Sequence, residues 1–569
     1  MHLGRPLPPT AQRLQAPTPC IPVTQITAYR IPLASRARSG RGPRNRHVRT
    51  RPFEIPVCRS SLYSHAADES HHIHGTGKAV TLQTFAQQLT RTKPTDSDAH
   101  LTDEPGENSL HRSLGLFSLT MIGVGSTIGT GIFFTMVIAV PKAGPSVILS
   151  FIIAAITAGL TALCYAELSS RIPSSGSSYS FAYATVGEFL AFVVAACLLL
   201  EYGLAASATA IGWSDYLNNF LSNAMGWQIP TELRAPMIVS GENGAEVHFN
   251  QFNLPPMILV ATCCFLLLRG AKESVTVNAI MVLIKLAILL FFAVVAFSGF
   301  NAEHFTPFFN TDNSKGLAGM AGVTAAAGTV FFSFIGLDAI ATAGAEAKNP
   351  RRDVPLSLMA ALVIVTVFYL AVAITAIGAQ PASMFAGQEA GLAVILQNVT
   401  GKALPALILS AGAVISVFSV TLVTLYGQSR ILFAISQDGL IPQSFQKVSK
   451  RTKTPVSNTI IVCIMVALVA GSVDSNFLWD MVSMGTLVAF IVVSIAVPVL
   501  RHKQIGKETA GFRIPLGPYF IPGLSILACL YILKDLSAAT YRTFFIWIAV
   551  AVLIYFAYSM RKSKLRNRS

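Results

Sequence analysis

The sequence predicts an all-α polytopic membrane protein with about twelve transmembrane helices. Of its 569 residues, 52% are hydrophobic and only 12% are charged, whereas a soluble domain carries about 25% charged residues. The apolar residues are concentrated in runs long enough to cross a hydrocarbon layer of about 30 Å as helices. Basic residues between these runs fall mostly on one side of the membrane. These three observations indicate a multi-pass protein embedded in a lipid bilayer.

The first 113 residues lack the character of a membrane span. Residues 1–60 contain eleven Arg, no Lys, ten Pro and a single acid, Glu54. This composition is compatible with a transit peptide or a disordered arm. It is also compatible with a start placed too far upstream, which we favour because the all-Arg, Pro-rich bias resembles GC-rich DNA read in frame. No Met lies between Met1 and Met121, so an internal start near Val80 would be natural. We expect residues 1–113 to be a disordered extension and 114–569 to be the transmembrane domain.

From Leu114 onward the apolar runs alternate with short polar loops. The predicted spans cover residues 114–140, 147–169, 187–212, 254–268, 276–299, 317–343, 355–377, 403–429, 457–473, 477–500, 517–537 and 543–560. Twelve spans place both termini on one side of the membrane. Twenty Lys/Arg lie in the loops and tail on that side, and six lie on the other. The bias predicts cytoplasmic termini, and we expect the plasma membrane.

The formal net charge of +15 does not indicate a nucleic-acid partner. The basic residues lie in the N-terminal segment and in short loops beside spans, where they orient a membrane protein. The eight cysteines include no CxxC pair, and all eleven histidines lie outside the predicted spans. We therefore expect no nucleic acid, no metal and no cofactor.

Span 1 contains the segment GVGSTIGTGIF, with four glycines at Gly123, Gly125, Gly129 and Gly131. Each glycine costs a helix about 1 kcal/mol relative to alanine. Close helix packing through small residues is one explanation. We favour an unwound segment, whose free N–H groups suit a carboxylate and whose free C=O groups suit an ammonium.

Span 6 contains FFSFIGLD, with Gly336 in the middle of the span and Asp338 beside it. Alone, this glycine can be explained by packing. Its position five spans after span 1 is the one that two inverted five-span repeats would give. Interrupted segments at corresponding positions of two repeats indicate a midplane ligand site in a transporter.

Few ionisable residues lie at bilayer depth. Lys285 is near the middle of span 5, where a Lys costs about 2.5–3.5 kcal/mol and requires a partner. The carbonyls of span 1 and the carboxylate of Glu201 in span 3 are candidate partners. Glu201 is interpreted equally well as a proton carrier or a structural acid, and Asp338 as a residue that bonds the broken helix. Glu167, near the end of span 2, is interpreted as a gate or as the partner of a loop arginine.

Several segments together resemble the amino acid–polyamine–organocation superfamily of permeases, closest to its cationic amino acid transporter branch and bacterial relatives. Besides the two glycine segments, the matching segments are YAEL, PSSGSSYSFAYA, LEYG, EAKNPRRDVP and GQSRILFAISQDGLIP. They are spread over most of residues 110–520. The resemblance implies a five-plus-five inverted repeat with broken helices 1 and 6, followed by two appended helices.

The resemblance also implies site residues. Span 1 amides would bind a substrate carboxylate, and carbonyls of spans 1 and 6 would bind its amino group. The implied substrate-binding residues are Thr127, Ile128, Gly129, Thr130, Gly131, Phe332, Ser333 and Ile335. Phe332 would be an aromatic gate, and Lys285 would replace a sodium site and favour proton coupling. Glu201 and Asp338 complete the candidate coupling residues.

The expected function is proton-coupled uptake of cationic or neutral amino acids by alternating access. No acid in spans 6, 8 or 10 is placed clearly for a cationic side chain, so selectivity stays open, as does the oligomeric state. An amino acid or polyamine exchanger of the same fold is the alternative. A membrane enzyme would need a convergent catalytic cluster, and a channel would show rings of pore residues; the sequence contains neither pattern.

Overall fold

The computed structural model describes residues 88–93, 114–174, 176–241, 244–269, 274–311, 318–388, 390–449, 454–503 and 511–567. The predicted N-terminal extension therefore lies outside the described residues, except for 88–93. That short segment lies against the transmembrane domain. The N–H of Glu188 donates to the carbonyl of Arg91 at 2.8 Å, and the N–H of Lys93 donates to that of Tyr183 at 3.0 Å.

Each of the twelve predicted spans is helical in the described part of the chain. The helices are Leu116–Thr127 with Thr130–Ala143 (span 1), Val147–Arg171 (span 2), Glu188–Met225 (span 3), Leu254–Arg269 (span 4), Ser274–Phe297 (span 5), Met320–Phe331 with Ala339–Thr342 (span 6), Pro350–Ala379 (span 7), Ala403–Gln437 (span 8), Val456–Ser472 (span 9), Ser475–Lys503 (span 10), Gly517–Leu533 (span 11) and Ala538–Ile554 (span 12). Among the described residues, eight helical stretches are long and apolar enough to cross a membrane. Spans 4, 9 and 11 are shorter apolar helices of 16 or 17 residues, near the lower limit for crossing. The prediction of an all-α polytopic fold is confirmed.

The segments between spans contain elements that hydropathy does not predict. Ser177–Thr185 forms a short helix before span 3, and Gly391–Thr400 forms another before span 8. Between spans 3 and 4, strands Ile238–Gly241 and Gly244–Val247 pair as an antiparallel hairpin. These elements belong to polar or short segments, so they leave no long apolar run in the sequence.

Span 5 illustrates how helix periodicity separates the protein core from the lipid. One stripe of the helix is fully buried and comprises Val282, Lys285, Leu289, Phe292 and Ala296. The opposite stripe is exposed and comprises Ile280, Leu283, Leu290 and Val294. The three- and four-residue spacing places one face inward. Lys285 lies on the inward stripe, so its ammonium group is directed at protein rather than lipid.

A buried carboxylate with arginine partners lies at one end of the bundle, which we call the Glu167 end. The fully buried Glu167 carboxylate accepts two hydrogen bonds of 2.6 Å from Arg501 at the end of span 10. It also lies 3.1 Å from Arg171 and accepts the N–H of Ile514 at 2.9 Å. Of the two interpretations of Glu167, the structure shows the arginine partner. The bidentate pair fixes span 2 to the end of span 10.

Candidate functional site

The helix of span 1 is interrupted for two residues. It ends at Thr127, Ile128 is extended with ψ 95°, and Gly129 has φ −142° and ψ −146° before a 14-residue helix starts at Thr130. No side chain caps this second helix. The N–H groups of its first turn lack intrahelical acceptors and carry the positive end of the helix dipole. The break therefore presents donors suited to an anion.

The helix of span 6 unwinds over a longer stretch. It ends at Phe331, continues as a single 3-10 turn and becomes extended at Ile335. Gly336 then adopts φ +108°, a conformation that a residue with a Cβ adopts only with strain. Regular helix resumes only at Ala339 and lasts four residues. The N–H of Ile335 closes the 3-10 turn on the carbonyl of Phe332 at 3.2 Å, and the main chain at Ile335 and Gly336 does not continue the α-helix at the middle of the span.

The two breaks lie against each other. The hydroxyl of Ser126 donates to the carbonyl of Gly336 at 2.8 Å. A Cβ at Gly336 would lie 2.8 Å from the carbonyl oxygen of Ser126, and one at Gly131 would lie 2.6 Å from the Cα of Ser333. Real Cβ atoms do not come this close to other heavy atoms, so only glycine at these two positions allows spans 1 and 6 to approach each other this closely.

The other glycines of span 1 support the packing interpretation as well. A Cβ at Gly123 would lie 2.3 Å from the side chain of Ile340, and one at Gly125 would lie 2.8 Å from that of Val282. These two glycines lie within the intact first helix. The four glycines thus divide into two that allow close helix packing and two at or beside the break.

A tyrosine of span 7 bridges the two breaks. The fully buried hydroxyl of Tyr369 lies 2.9 Å from the carbonyl of Thr127 and 2.9 Å from that of Ser333. A phenol has one proton to donate, so it serves these two acceptors in turn. Tyr369 therefore ties the end of the first helix of span 1 to the unwound part of span 6.

Lys285 caps the first half of span 1. Its ammonium group donates to the carbonyls of Gly125 at 2.7 Å and Ile128 at 3.0 Å, and the side chain is fully buried. A cation at a helix C-terminus is stabilised by the unpaired carbonyls and the dipole. Of the two partners considered from the sequence, Lys285 binds the carbonyls rather than Glu201.

A cavity lies between the breaks and spans 3 and 8. It contains about 520 Å³ of space that protein atoms leave unfilled, counting its open mouth. The lining residues are Ser126, Thr127, Gly129, Gly131, Glu201, Tyr202, Ala205, Thr209, Phe332, Ile335, Gly336, Asp338, Ala339, Val420, Val423 and Thr424. The ring of Phe332 lies 4.2 Å from that of Trp479 in span 10, centroid to centroid. The cavity thus combines main-chain polar groups with aromatic and aliphatic walls.

Two carboxyl groups border this cavity. Asp338 accepts a hydrogen bond of 2.6 Å from the hydroxyl of Tyr202 in span 3. Glu201, beside that tyrosine, is 2% exposed, and its Oε1 atom has no hydrogen-bond partner among the described residues. An unpaired buried carboxylate oxygen is costly. Glu201 is therefore suited to hold a proton or to meet a polar ligand.

Seven of the predicted site residues line the cavity. They are Thr127, Gly129, Gly131, Phe332, Ile335, Glu201 and Asp338. Of the others, Thr130 begins the second helix of span 1, and Ser333 directs its hydroxyl to that of Thr135 at 3.1 Å. Lys285 is not among the lining residues and contacts the break through the carbonyls of Gly125 and Ile128.

Ile128 departs from the prediction of a carboxylate-binding amide. Its N–H donates to the carbonyl of Val124 at 2.9 Å, as the last bond of the first helix, and its side chain is fully buried. The free donors at this break begin after Ile128, because the helix continues one hydrogen bond further than the glycine pattern indicates.

Residues of the site that sequence reasoning missed lie on spans 3, 7 and 8, and those of span 3 are Tyr202, Ala205 and Thr209. Tyr369 carries a detectable signal, because a phenol in the middle of an apolar span needs a polar partner. Val420, Val423 and Thr424 carry no such signal, because they are ordinary residues of a membrane helix. The described residues contain no group of three or more His, Cys, Asp or Glu side chains that can hold a metal ion.

The chain is similar to a known family over most of its length. Residues 114–560 match the family model described as amino acid permease. The chain is 42% identical over 463 residues to a branched-chain amino acid permease of Bacillus subtilis, covering 81% of this chain and 96% of that protein. It is 40% identical to a methylthioribose transporter of the same organism, covering 84% and 99%. It is 34% identical to a vacuolar cationic amino acid transporter of Arabidopsis thaliana, covering 74% and 64%.

Proposed function

Because the chain belongs to the amino acid permease family, we propose that it carries amino acids across a membrane by alternating access. It is a transporter and an integral membrane protein rather than an enzyme. The cavity between spans 1, 3, 6 and 8 is the proposed substrate site. Rocking of the helices around this site would expose it to one side of the membrane and then the other.

The facing breaks in spans 1 and 6 are the observation that carries the proposal. The uncapped helix that starts at Thr130 supplies N–H donors for the substrate carboxylate. The carbonyl of Ile335, in extended backbone at the cavity wall, supplies an acceptor for the amino group. The carbonyls of Thr127 and Ser333 are shared with Tyr369. The carboxylate of a zwitterion would therefore meet N–H donors of span 1, and its ammonium group would meet a carbonyl acceptor of span 6, within the same cavity.

The side chain of the substrate would meet the wall formed by spans 3 and 8. Ala205, Val420 and Val423 make this wall largely aliphatic, which favours a neutral side chain. Of the two acids at the cavity, Glu201 suits a cationic side chain better, because its Oε1 has no partner among the described residues whereas the Asp338 carboxylate accepts the hydroxyl of Tyr202. Both neutral and cationic amino acids are therefore candidate substrates, and L-leucine and L-arginine are the probes that separate them.

Lys285 is the proposed coupling residue. Its ammonium group holds two carbonyls at the end of the first helix of span 1. Loss of its proton would weaken this hold and release the half-helix beside the substrate. Glu201 and Asp338, both buried at the cavity, would take part in moving the proton. Uptake would then depend on a proton gradient.

Purified protein in liposomes tests this function. Labelled L-leucine, L-alanine and L-arginine are offered with and without an imposed pH gradient. We expect accumulation of at least one of them above its external concentration when the outside is acidic. Transport of none of them would contradict the proposal. Transport that needs internal substrate and ignores the gradient would identify the exchanger instead.

We also propose the plasma membrane as the location, with both termini cytoplasmic. The support is the excess of Lys/Arg, twenty against six, on the side of the termini. A reporter that fluoresces only in the cytoplasm, fused after residue 569, tests the orientation. Fluorescence is expected. A dark fusion at normal expression would contradict the orientation without affecting the transport proposal.

A further inference from the structure

A second cavity lies at the Glu167 end of the bundle, where the end of span 12 meets the segment after span 8. It contains about 660 Å³ of space unfilled by protein atoms, counting its open mouth. Its lining residues are Gly439, Ile441, Gln443, Tyr558, Lys562 and Lys564. This cavity shares no residue with the proposed substrate site.

Close contacts between the segment after span 8 and the end of span 12 fix the walls of this cavity. The hydroxyl of Ser559 donates to the carbonyl of Leu440 at 2.6 Å, and the N–H of Lys564 donates to the carbonyl of Asp438 at 3.1 Å. A Cβ at Gly439 would lie 2.7 Å from the carbonyl oxygen of Lys562, so the two backbones touch. These contacts hold the two segments that form the cavity walls in fixed positions.

The charge of the cavity is positive and uncompensated. The side chains of Lys562 and Lys564 are exposed, and no carboxylate among the described residues forms an ion pair with either. The nearby acids are engaged elsewhere. Glu188 accepts the hydroxyl of Ser563 at 2.6 Å, and Asp438 pairs with Lys93 at 2.8 Å. Two ammonium groups thus border a cavity whose described lining residues include no Asp or Glu.

An apolar surface leads from the bilayer to this cavity. Span 12 is mostly exposed, and its large exposed side chains include Ile546, Val550, Leu553 and Ile554. Positions four residues apart share a helix face, and Tyr558 follows Ile554 by four at the cavity rim. A π-helical turn covers Tyr555–Ser559 at the junction. The lipid-facing stripe of span 12 therefore ends at the two lysines.

We propose that this cavity binds the headgroup of an acidic phospholipid. The phosphate would lie between Lys562 and Lys564, because clustered basic residues at a membrane surface bind anionic headgroups. One acyl chain would follow the exposed stripe of span 12, which a soluble phosphate ester cannot use. The combination of a basic hollow with an apolar approach selects a lipid over a free anion.

Lipid binding to the detergent-solubilised full-length protein tests the proposal. Phosphatidylglycerol and phosphatidylcholine of matched chains are titrated, and bound lipid is counted by native mass spectrometry. We expect phosphatidylglycerol to bind at least about tenfold more tightly to the wild type. The pair K562Q and K564Q should remove most of this preference. The control pair R351Q and R352Q, which removes two exposed charges after span 6, should keep it.

Three outcomes would overturn the proposal. They are equal binding of the two lipids to the wild type, an unchanged preference in the K562Q/K564Q protein, and competition by glycerol 3-phosphate as effective as that by the whole lipid. The last would indicate a soluble anion. If the double variant does not fold, K562R/K564R should keep the preference. The comparison of the two lipids and the competition with glycerol 3-phosphate both use the wild-type protein and need no variant.

Discussion

The two interrupted spans reach the same cavity by different means. Span 1 breaks for only two residues, and the carbonyls that end its first half are held by the ammonium group of Lys285. Span 6 is irregular from Phe332 to Asp338. Its main chain is held by the hydroxyls of Ser126 and Tyr369 and by the conformation of Gly336. The break in span 1 is thus held by a charged side chain, and the break in span 6 is held by neutral hydroxyl groups and the backbone conformation of Gly336.

This difference assigns different roles to the two breaks. A charge-held break responds to protonation, so span 1 is the proposed site of coupling. The hydroxyl groups of Ser126 and Tyr369 that hold the second break are neutral, so span 6 is the proposed fixed frame for the substrate. Asp338 lies beside the second break, where its carboxylate accepts the hydroxyl of Tyr202 and also main-chain N–H groups of Asp338 and Ala339.

Gly336→Ala should have the largest effect, because it removes the geometry on which span 6 depends. The added Cβ meets the carbonyl oxygen of Ser126 at 2.8 Å, and φ is +108°. Backbone strain of this kind costs about 1–3 kcal/mol. We expect binding and transport to fall by about ten- to a hundredfold, and the thermal midpoint to fall, as measured by uptake and by a melting assay.

Gly523→Ala is the matched control in span 11, where an added Cβ meets no atom within 4 Å. It should retain wild-type uptake and stability. Full activity of the Gly336 variant would mean that span 6 does not need its observed conformation.

Lys285→Ala should separate binding from coupling. Removal of the ammonium group leaves the carbonyls of Gly125 and Ile128 without their donor, but the cavity lining is unchanged. We expect gradient-driven accumulation to disappear while substrate binding weakens by about tenfold or less, the effect of about 1.4 kcal/mol. Uptake in liposomes and calorimetric binding measure the two quantities. Normal accumulation by this variant would refute the role of Lys285 in coupling.

Tyr369→Phe should weaken the link between the breaks without adding volume. It removes the hydroxyl that lies 2.9 Å from the carbonyls of Thr127 and Ser333. A buried hydrogen bond contributes about 0.5–1.5 kcal/mol, so transport efficiency should fall about three- to tenfold. The control is Tyr541→Phe in span 12, which removes a 2.7 Å hydrogen bond to the carbonyl of Leu533 in span 11 and should leave kcat/KM unchanged. Equal losses in both variants would indicate a general stability effect.

Ser126→Ala should have the smallest effect of the series. Its hydroxyl also bonds its own helix, to the carbonyl of Ile122 at 2.8 Å, so only part of its bonding serves Gly336. We expect a two- to fivefold loss of transport efficiency, corresponding to about 0.5–1 kcal/mol. Ser494→Ala, in a buried network of span 10 with Ser525, provides the comparison. A loss as large as that of Gly336→Ala would mean that the hydroxyl, rather than the glycine, fixes span 6.

Most of the fold can be predicted from the sequence, because hydrocarbon thickness and helix geometry leave few choices for a long apolar run. The ends of span 3 illustrate the limit. Hydropathy ends this span at residue 212, but the helix continues to Met225. Its polar extension is stabilised by tertiary bonds that a local pattern does not reveal, such as that from Tyr216 to the carbonyl of Phe133 at 3.0 Å.

The residues of the candidate site also fall into those that the sequence signals and those that only the structure reveals. Gly129 and Gly336 can be identified from the sequence, because a glycine in the middle of a span destabilises the helix and so indicates a structural or functional role. Lys285 is visible because a charge at that depth is costly. The wall at Val420 and Val423 is not visible, because lipid and a substrate side chain both favour valine. Which of two acceptors Lys285 binds also depends on helix packing and required the structure.

The most direct test of the central claim is the affinity of the protein for a zwitterion and for its two singly charged analogues. The transported amino acid, its amide and its deaminated acid are compared by calorimetry on the same purified protein. If the breaks bind both charged ends, each analogue should bind about a hundredfold more weakly or worse, because removing either charge leaves main-chain groups unpaired. Binding of either analogue within a few-fold of the amino acid would contradict the claim.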